Sequence, residues 1–587
     1  MAYSDIRSVQ ILIALLKEYE ICDVILSPGG SDIPLIHSVE MDDFFTCYSV
    51  VDERSAAYFA MGVAQEKNKP VACICTSGTA VCNYVPGITE AYYQNVPVLA
   101  ITADKNPYFQ GQLEIQKINQ TNIFTDVIKK SVDLPWIRGL EDEWLCNRLV
   151  NEALLELTHH GWGPVQINIP IIGPTNFYNC LKLPKERKIS IVDNPIWENI
   201  SHELKNKKIM VVVGQNVNFS DLDIQNMNSF YEKYNCIFAV ENLSNLDCKG
   251  VINSYPITEM YSQSKLSHLL PDIVISLGNN LAAYNLKPFL RNNYKKIDNW
   301  LVSEDGKVRD AYKALTTIFE ISSSRFFESL AKIKMDSECN GHSYFGCWEK
   351  EINSIKLPEF DFSNFYVAQS LAKIIPADSI LHTAILNSTR IMQFFSLAKN
   401  VRNYSNVGGL GIDGCFSTFV GQASASPNKL SFLLIGDLSF FYDMNAAGLR
   451  SIHSNVRIIL LNNGGGSEFH FFMGKKNIST LNKYICAEHD NSAAGWIKSL
   501  GYDYYSASTK EEFDNIIKRF GEPSDKPLFL EIFTDMERDA EYTNELYDRY
   551  RKDRTSNKEK TKKILAGFLS QKQKEKAKKI LNILKEE

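Results

Sequence analysis

The sequence predicts an α/β protein built from three doubly wound parallel-sheet domains. Short β-branched runs alternate with helix-spaced segments, and these alternations fall into three blocks separated by polar, turn-rich stretches. Length agrees, since 587 residues exceed what one hydrophobic core organises.

The first block contains CDVIL at 22–26, TCYSVV at 46–51, VACICT at 71–76, VPVLAIT at 96–102 and PVQINIP at 164–170. Runs of this kind, separated by helical patterns, suit βαβ units around a parallel sheet. The second block follows Pro195, with KKIMVVVG at 207–214, NCIFAVEN at 235–242 and DIVISLGNN at 272–280. The third opens near Tyr366, with KLSFLLIGD at 429–437, VRIILLNN at 456–463 and PLFLEIF at 527–533. Segments 182–197 and 334–362 are charged or rich in turn formers and read as linkers. The expected domains are therefore 1–182, 195–340 and 363–540, followed by a basic helical extension over 541–587. From Arg551 onward Lys and Arg outnumber Asp and Glu, and apolar pairs such as Ile564 with Leu565 and Ile580 with Leu581 suit an amphipathic helix.

With 44% hydrophobic and 22% charged residues the chain is globular in composition. A net charge of -6 offers no broad positive field, which disfavours nucleic acid and favours a small-molecule partner. No apolar run reaches the roughly 18 residues of a membrane span, and the first residues lack a signal pattern, so a cytoplasmic protein is expected. The 13 cysteines are scattered without a C-x-x-C, as reduced structural thiols would be.

The chemistry concentrates at strand ends. SFLLIG ends in Gly436 and Asp437, and VRIILL ends in Asn462 and Asn463 before Gly464, Gly465 and Gly466. Neighbouring ends of a parallel sheet face the crevice where α/β folds bind ligands. Asp and Asn supply hard oxygens and the glycines admit a diphosphate, in outline a Mg²⁺ diphosphate site. Taken singly, Asp437 also suits a helix start and Asn462-Asn463-Gly464 a turn. Gly409-Leu410-Gly411-Ile412-Asp413-Gly414 matches G-x-G-x-x-G, which alone suggests a dinucleotide. The preceding RNYSNV is a poor buried strand, however, and that reading leaves Asn462 to Gly466 without a role. In the first block TCYSVV runs into Asp52-Glu53-Arg54 and a helical pattern, placing a carboxylate at a strand-to-helix junction. That carboxylate also suits the helix macrodipole. Thr76-Ser77-Gly78-Thr79 starts the next helix, a position suited to binding or capping.

Read together, ILSPGG, VVDERSAAYFAMGVAQ, TSGTAVCNYVPGITEA, VPVLAITAD and GPVQINIP resemble the pyrimidine-binding domain of thiamine diphosphate enzymes. GIDGCFSTFVGQA, GDLSFFYDMNAAGL and NNGGG resemble their diphosphate-binding domain. The resemblance covers about residues 5–180 and 365–535, and within the class it is to the menaquinone-pathway synthases that join 2-oxoglutarate to isochorismate. It implies a thiamine diphosphate and Mg²⁺ dependent enzyme acting on a 2-oxo acid donor, with the active site completed in a homodimer or homotetramer. By position, Glu53 is implied to hydrogen-bond the aminopyrimidine ring, and Asp437, Asn462 and the Gly464 carbonyl to hold Mg²⁺. Ile412 resembles the bulky residue that keeps the cofactor bent. Ser77, Gly78, Gly411, Asp413, Gly436, Leu438, Ser439 and Gly465 are implied as the remaining cofactor contacts. A carboxylate on the ring nitrogen favours the imino tautomer, whose nitrogen can take a proton. The implied reaction is decarboxylation with transfer of the acyl carbanion equivalent to a second acceptor. The alternatives are a plain decarboxylase, the orthodox synthase, and a silent cofactor-fold binding protein that would have no need of Glu53.

The synthase pattern places arginines where this chain carries other residues. Ser31 stands at one such position in SPGGSD, and Lys105 at another after Thr102-Ala103-Asp104. Val407 replaces Arg and Leu410 replaces Ser, while Met392 falls at a further Arg position with Arg390 offset and Ser388 kept. After NNGGG the usual Ile-Phe pair is Ser467-Glu468, next to Phe469-His470, and Gln116 matches a family glutamine. Arginine forks are not interchangeable with Lys, Ser or Val. The expectation is a retained cofactor site and a rebuilt substrate pocket contacted by Ser31, Lys105, Gln116, Ser388, Arg390, Glu468 and His470. Its donor and acceptor should be less anionic than the synthase pair. Arg390 and Lys475 are the cations left to supply charge from another direction. His470 is a candidate proton shuttle, and the sequence alone does not place the other histidines in a cluster.

Overall fold

The computed structural model describes residues 2–215, 219–334, 342–473 and 478–551; of the expected extension 541–587 only 541–551 is among them, as helix, and the rest, with Lys475, lies outside. By contact the chain divides into two compact units, Met1–Pro195 with Asp298–Ser322, and Ile196–Ile297 with Ser323–Glu587. Three parallel sheets with flanking helices carry the described strands, the α/β class that the alternating runs predict.

The first sheet comprises β1 (Asp23–Ser27), β2 (Thr46–Ser49), β3 (Val71–Cys75), β4 (Val98–Asp104), β5 (Lys130–Asp133) and β6 (Val165–Pro170), in the order β2-β1-β3-β4-β6-β5. Its neighbours all pair in parallel. β1, β3, β4 and β6 are buried along their whole length, which is why they read as near-continuous apolar runs. β5 is an edge strand buried only at Val132, so no apolar run announced it. One face is covered by the helix Arg7–Glu18, through Val9, Leu12 and Leu16. The helix Glu53–Lys67 covers the other through Ala56, Ala57, Ala60 and Ala64. These small residues permit a close approach: a Cβ at Gly87, on the helix Val85–Tyr93, would lie 2.5 Å from the Ala57 Cβ.

The middle strands are β7 (Ser190–Val192), β8 (Ile209–Val213), β9 (Cys236–Val240), β10 (Val251–Asn253), β11 (Ile273–Leu277), β12 (Asp298–Val302) and β13 (Leu315–Phe319). In the first unit they run β12-β13-β7, and in the second β10-β9-β8-β11, all parallel. The stretch 182–197, read as a linker, therefore contains a strand. Likewise 334–362 contains the helix Ser343–Ser354, which buries Tyr344 and Trp348. Flanking charge hid both elements in the sequence.

The third sheet comprises β14 (Ile380–Thr383), β15 (Arg402–Tyr404), β16 (Ser431–Gly436), β17 (Val456–Asn462), β18 (Asp503–Ala507) and β19 (Leu528–Phe533), in the order β15-β14-β16-β17-β19-β18. This is the same permutation as the first sheet. In each, the chain leaves the first strand on one side and later crosses to the other. The topological switch therefore falls between β1 and β3, and between β14 and β16, where carboxyl strand ends open a crevice. RNYSNV, expected to be no buried strand, supplies β15, an edge strand beside β14 that fully buries only Asn403. The helix Met536–Arg551 closes the described chain, with Tyr547 buried against the rings of Phe394 and Phe471. Among the described residues no helix is long and apolar enough to cross a membrane.

Candidate active site

In the first unit the expected residues gather at the carboxyl ends of β1 to β4, one edge of a parallel sheet. At the switch point the Ser31 N–H donates to Thr76 Oγ1 at 3.1 Å, and the Ser31 and Ser77 hydroxyls lie 3.3 Å apart. Gly78 has φ +81, and its N–H donates to Gln120 Oε1 at 3.0 Å. A Cβ there would meet the Gln116 side chain at 2.8 Å, and Gln116 Nε2 donates to the Ser77 carbonyl. The turn is thus closed down onto Gln116. Glu53 opens its helix after β2, half-buried, and accepts a hydrogen bond from Asn83 Nδ2 at 3.3 Å.

In the second unit the corresponding edge is formed by the ends of β14, β16 and β17. β16 and β17 are in register up to Gly436 and Leu461, which sets Asp437 beside Asn462. Asp437 is buried, and its Oδ2 accepts from the backbone N–H groups of Asn463, Gly464 and Gly465 at 3.1, 2.8 and 2.9 Å. Gly464 and Gly465 have φ +82 and +154, a backbone that side chains disfavour, so the turn that wraps the carboxylate needs glycine. Asn462 is held by its amide nitrogen, which donates to the Asn491 carbonyl and to Glu531 Oε1, each at 2.8 Å. Its amide oxygen is left for another partner. The Gly464 carbonyl accepts one hydrogen bond, from the His489 N–H, and keeps a second lone pair. Asp437, Asn462 and this carbonyl bring hard oxygens to the ends of two neighbouring strands, the donor type that could hold a divalent ion of the Mg²⁺ kind. Ser439 Oγ donates to the Ile412 carbonyl at 2.8 Å, tying the loop of Gly411, Ile412 and Asp413 to the end of β16 that carries Gly436, Asp437 and Leu438.

The cations near these edges face carboxylates. Lys105 Nζ lies 3.5 Å from Glu114, and Lys117 Nζ lies 2.6 Å from the buried Asp104. Arg390, in the helix Asn387–Met392 after β14, donates to Glu468 Oε1 at 2.9 Å and lies 4.4 Å over the Tyr284 ring; both partners of the pair are buried. Val407 and Met392, at two expected arginine positions, are buried too. Ser388 is buried on the helix of Arg390, and His470 lies half-buried on the helix of Glu468. Leu386, which launches the helix of Arg390, has φ +68 and ψ -126, a conformation that costs a non-glycine residue on the order of 1–3 kcal/mol.

Three features were not drawn from the sequence. Asp32, beside Ser31, is fully buried with Oδ1 accepting from the Gly29 N–H and Oδ2 unpartnered. Its burial pushes the carboxyl up to about 7, and the charge of nearby Glu53 adds to the effect. Asp32 is visible in SPGGSD, but its burial depends on the fold and not on that motif. Glu531, buried on β19, fixes Asn462, Ala493, Ser492 and Tyr504; a glutamate within the apolar run PLFLEIF was its signal. His489, with Nε2 3.5 Å from Asp437 Oδ2, had no signal because it is remote in sequence.

Comparison with known proteins gives a consistent set of relatives. Residues 6–123 match the thiamine pyrophosphate enzyme, N-terminal TPP binding domain family. The chain is 37% identical over 555 residues, 93% of its own length and 99% of the relative's, to the 2-succinyl-5-enolpyruvyl-6-hydroxy-3-cyclohexene-1-carboxylate synthase of Bacteroides thetaiotaomicron. The protein of that name from Phocaeicola vulgatus is 37% identical, with 93% of this chain and 98% of the relative covered. That from Flavobacterium johnsoniae is 29% identical, with 91% and 97% covered.

Proposed function

The chain belongs to the thiamine diphosphate enzyme family of these synthases, and from that premise we propose that it decarboxylates a 2-oxo acid and joins the acyl fragment to an acceptor less anionic than theirs. It is a thiamine diphosphate-dependent transferase of the carboligase type that works with a divalent metal. When bound, thiamine diphosphate supplies the electron sink that lets a 2-oxo acid release CO₂. Asp437, Asn462 and the Gly464 carbonyl would hold the metal, which we assign as Mg²⁺, and the loop of Ile412 would support the cofactor. Glu53 would hold a proton at the pyrimidine ring. The exposed Tyr58 and Phe59 share the Glu53 helix, and exposed Tyr93 sits on the helix packed against it, an apolar face suited to a second copy. We therefore propose a homodimer in which the first unit of one subunit serves the second unit of its partner, acting on small molecules in the cytoplasm.

The observation that carries the substrate reading is the buried Arg390–Glu468 pair. A guanidinium already matched by a carboxylate offers no net charge to a substrate carboxylate, and Ser31, Val407 and Met392 offer none either. The second reading, the relatives' own reaction, is favoured by identity spread over 99% of the Bacteroides protein. Incubation with thiamine diphosphate, Mg²⁺ and a panel of 2-oxo acids, each with a neutral carbonyl or alkene acceptor, tests the reaction class by product mass. Carbon skeletons longer than the donor are expected. Aldehydes alone would mean simple decarboxylation, and no cofactor-dependent CO₂ release would mean a silent binder.

A further inference from the structure

The first unit holds a second cluster of ligating side chains, remote in sequence from the residues discussed above. The helix Leu140–Glu156 runs out into His159 and His160, and Glu320 follows β13. His159 Nε2 lies 2.9 Å from Glu320 Oε2, and His160 Nε2 meets the other oxygen of the same carboxylate. The two imidazoles stack with centroids 3.8 Å apart, and one ligand atom from each of the three residues lies within 4.8 Å of the others. We propose that His159, His160 and Glu320 form a binding site for a borderline divalent cation of the zinc type, with water completing the set.

Independent features support a built site over a chance ion pair. His159 Nδ1 lies 3.0 Å from Glu156 Oε1, so a carboxylate orients the ring and leaves Nε2 to the ion, as outer carboxylates do for metal-bound histidines. The His-His turn is fixed from behind: Lys129 Nζ donates to the carbonyls of His159 and Gly161, and His160 takes φ +51. Gly306 borders the cluster at φ +59, and a Cβ there would meet both Glu320 Oε2 and His159 Nε2 at 2.9 Å. Ligands about 2.1 Å from a tetrahedral ion lie about 3.4 Å apart, so small side-chain adjustments would accommodate one. Two imidazoles with one carboxylate suit zinc, and also cobalt or nickel, better than Mg²⁺ or Ca²⁺. The ion would clamp the end of the helix Leu140–Glu156 to the segment after β13.

The test uses the full chain saturated with thiamine diphosphate and Mg²⁺, titrated with ZnCl₂ by calorimetry and followed by thermal melting. One saturable Zn²⁺ per chain is expected, raising Tm by a few degrees at about 100 times Kd. That binding should weaken at least about tenfold in His160→Ala and in Glu320→Gln. It should persist in Asp437→Ala, which separates it from the metal of the cofactor site. His160 is exposed, so His160→Ala should fold normally and keep turnover. No saturable Zn²⁺ site, or one of unchanged affinity in both cluster variants, would overturn the proposal and leave a plain His–Glu ion pair.

Discussion

Glu468 stands where the resemblance implies an apolar residue, and its carboxylate occupies the guanidinium of Arg390. Glu468→Gln would keep the size and remove the charge, leaving Arg390 buried and available to a substrate carboxylate. We expect a lower melting temperature, since breaking a buried pair costs about 3–5 kcal/mol. The ratio of kcat/KM for 2-oxoglutarate over a neutral 2-oxo acid should rise at least about tenfold. An unchanged ratio would detach the pair from the substrate pocket. Asp32 makes a different prediction. Its carboxyl titrates near 3.8 when unperturbed and is pushed up to about 7 by burial, so the folded state keeps a proton that the unfolded chain releases. The associated stability is full below the lower value and is lost as pH rises through the window. Asp32→Asn should therefore flatten the fall of Tm across that window; an identical pH profile would show that Asp32 ionises freely. The arginine losses were legible because a pattern existed to compare them with. The pairing of Arg390 with a residue 78 positions away was not, because only the fold brings the two helices together.

At the scale of elements, sequence legibility followed burial. Strands buried on both faces, such as β3, β4, β16 and β17, announced themselves as apolar runs, whereas the edge strands β5, β15 and β18 did not; β2, also an edge strand, was legible through the run TCYSVV. The Asp437 and Asn462 strand ends could be read as adjacent because the strands that carry them are of the legible kind. β14, fully buried but only four residues long, escaped because ILHT is too short to stand out. The end of the chain has a similar logic. The helix Met536–Arg551 is anchored by buried Tyr547 and by Tyr550, whose hydroxyl accepts from the Lys356 N–H and donates to its carbonyl. A chain ending at Arg551 should keep wild-type turnover, while one ending before Met536 should lose stability along with the contacts of Tyr547. Loss of turnover in a folded protein ending at Arg551 would assign the basic extension a part in the chemistry.

At the scale of the whole molecule, the repeated strand permutation gives the chain two crevices of the same design, one at the Ser31–Ser77 switch and one beside Asp437. If the two serve one cofactor across a dimer, Glu53→Gln and Asp437→Ala should each be nearly inactive, with losses on the order of 10² or more for Glu53→Gln. Mixed subunits should regain part of the activity, because one of the two sites in a heterodimer is intact. No recovery despite demonstrated subunit exchange would argue against a shared site. The central claim, a family cofactor site joined to a substrate pocket with its charge spent, is met most directly by competition. Purified enzyme with thiamine diphosphate and Mg²⁺ would be given 2-oxoglutarate and isochorismate together with a neutral donor and acceptor, and the products quantified by mass. Preference for the neutral pair by roughly 10² to 10⁴ is expected from the cost of burying unmatched carboxylates. Efficient formation of the cyclohexene carboxylate named for the relatives, with the neutral pair left unused, would contradict it.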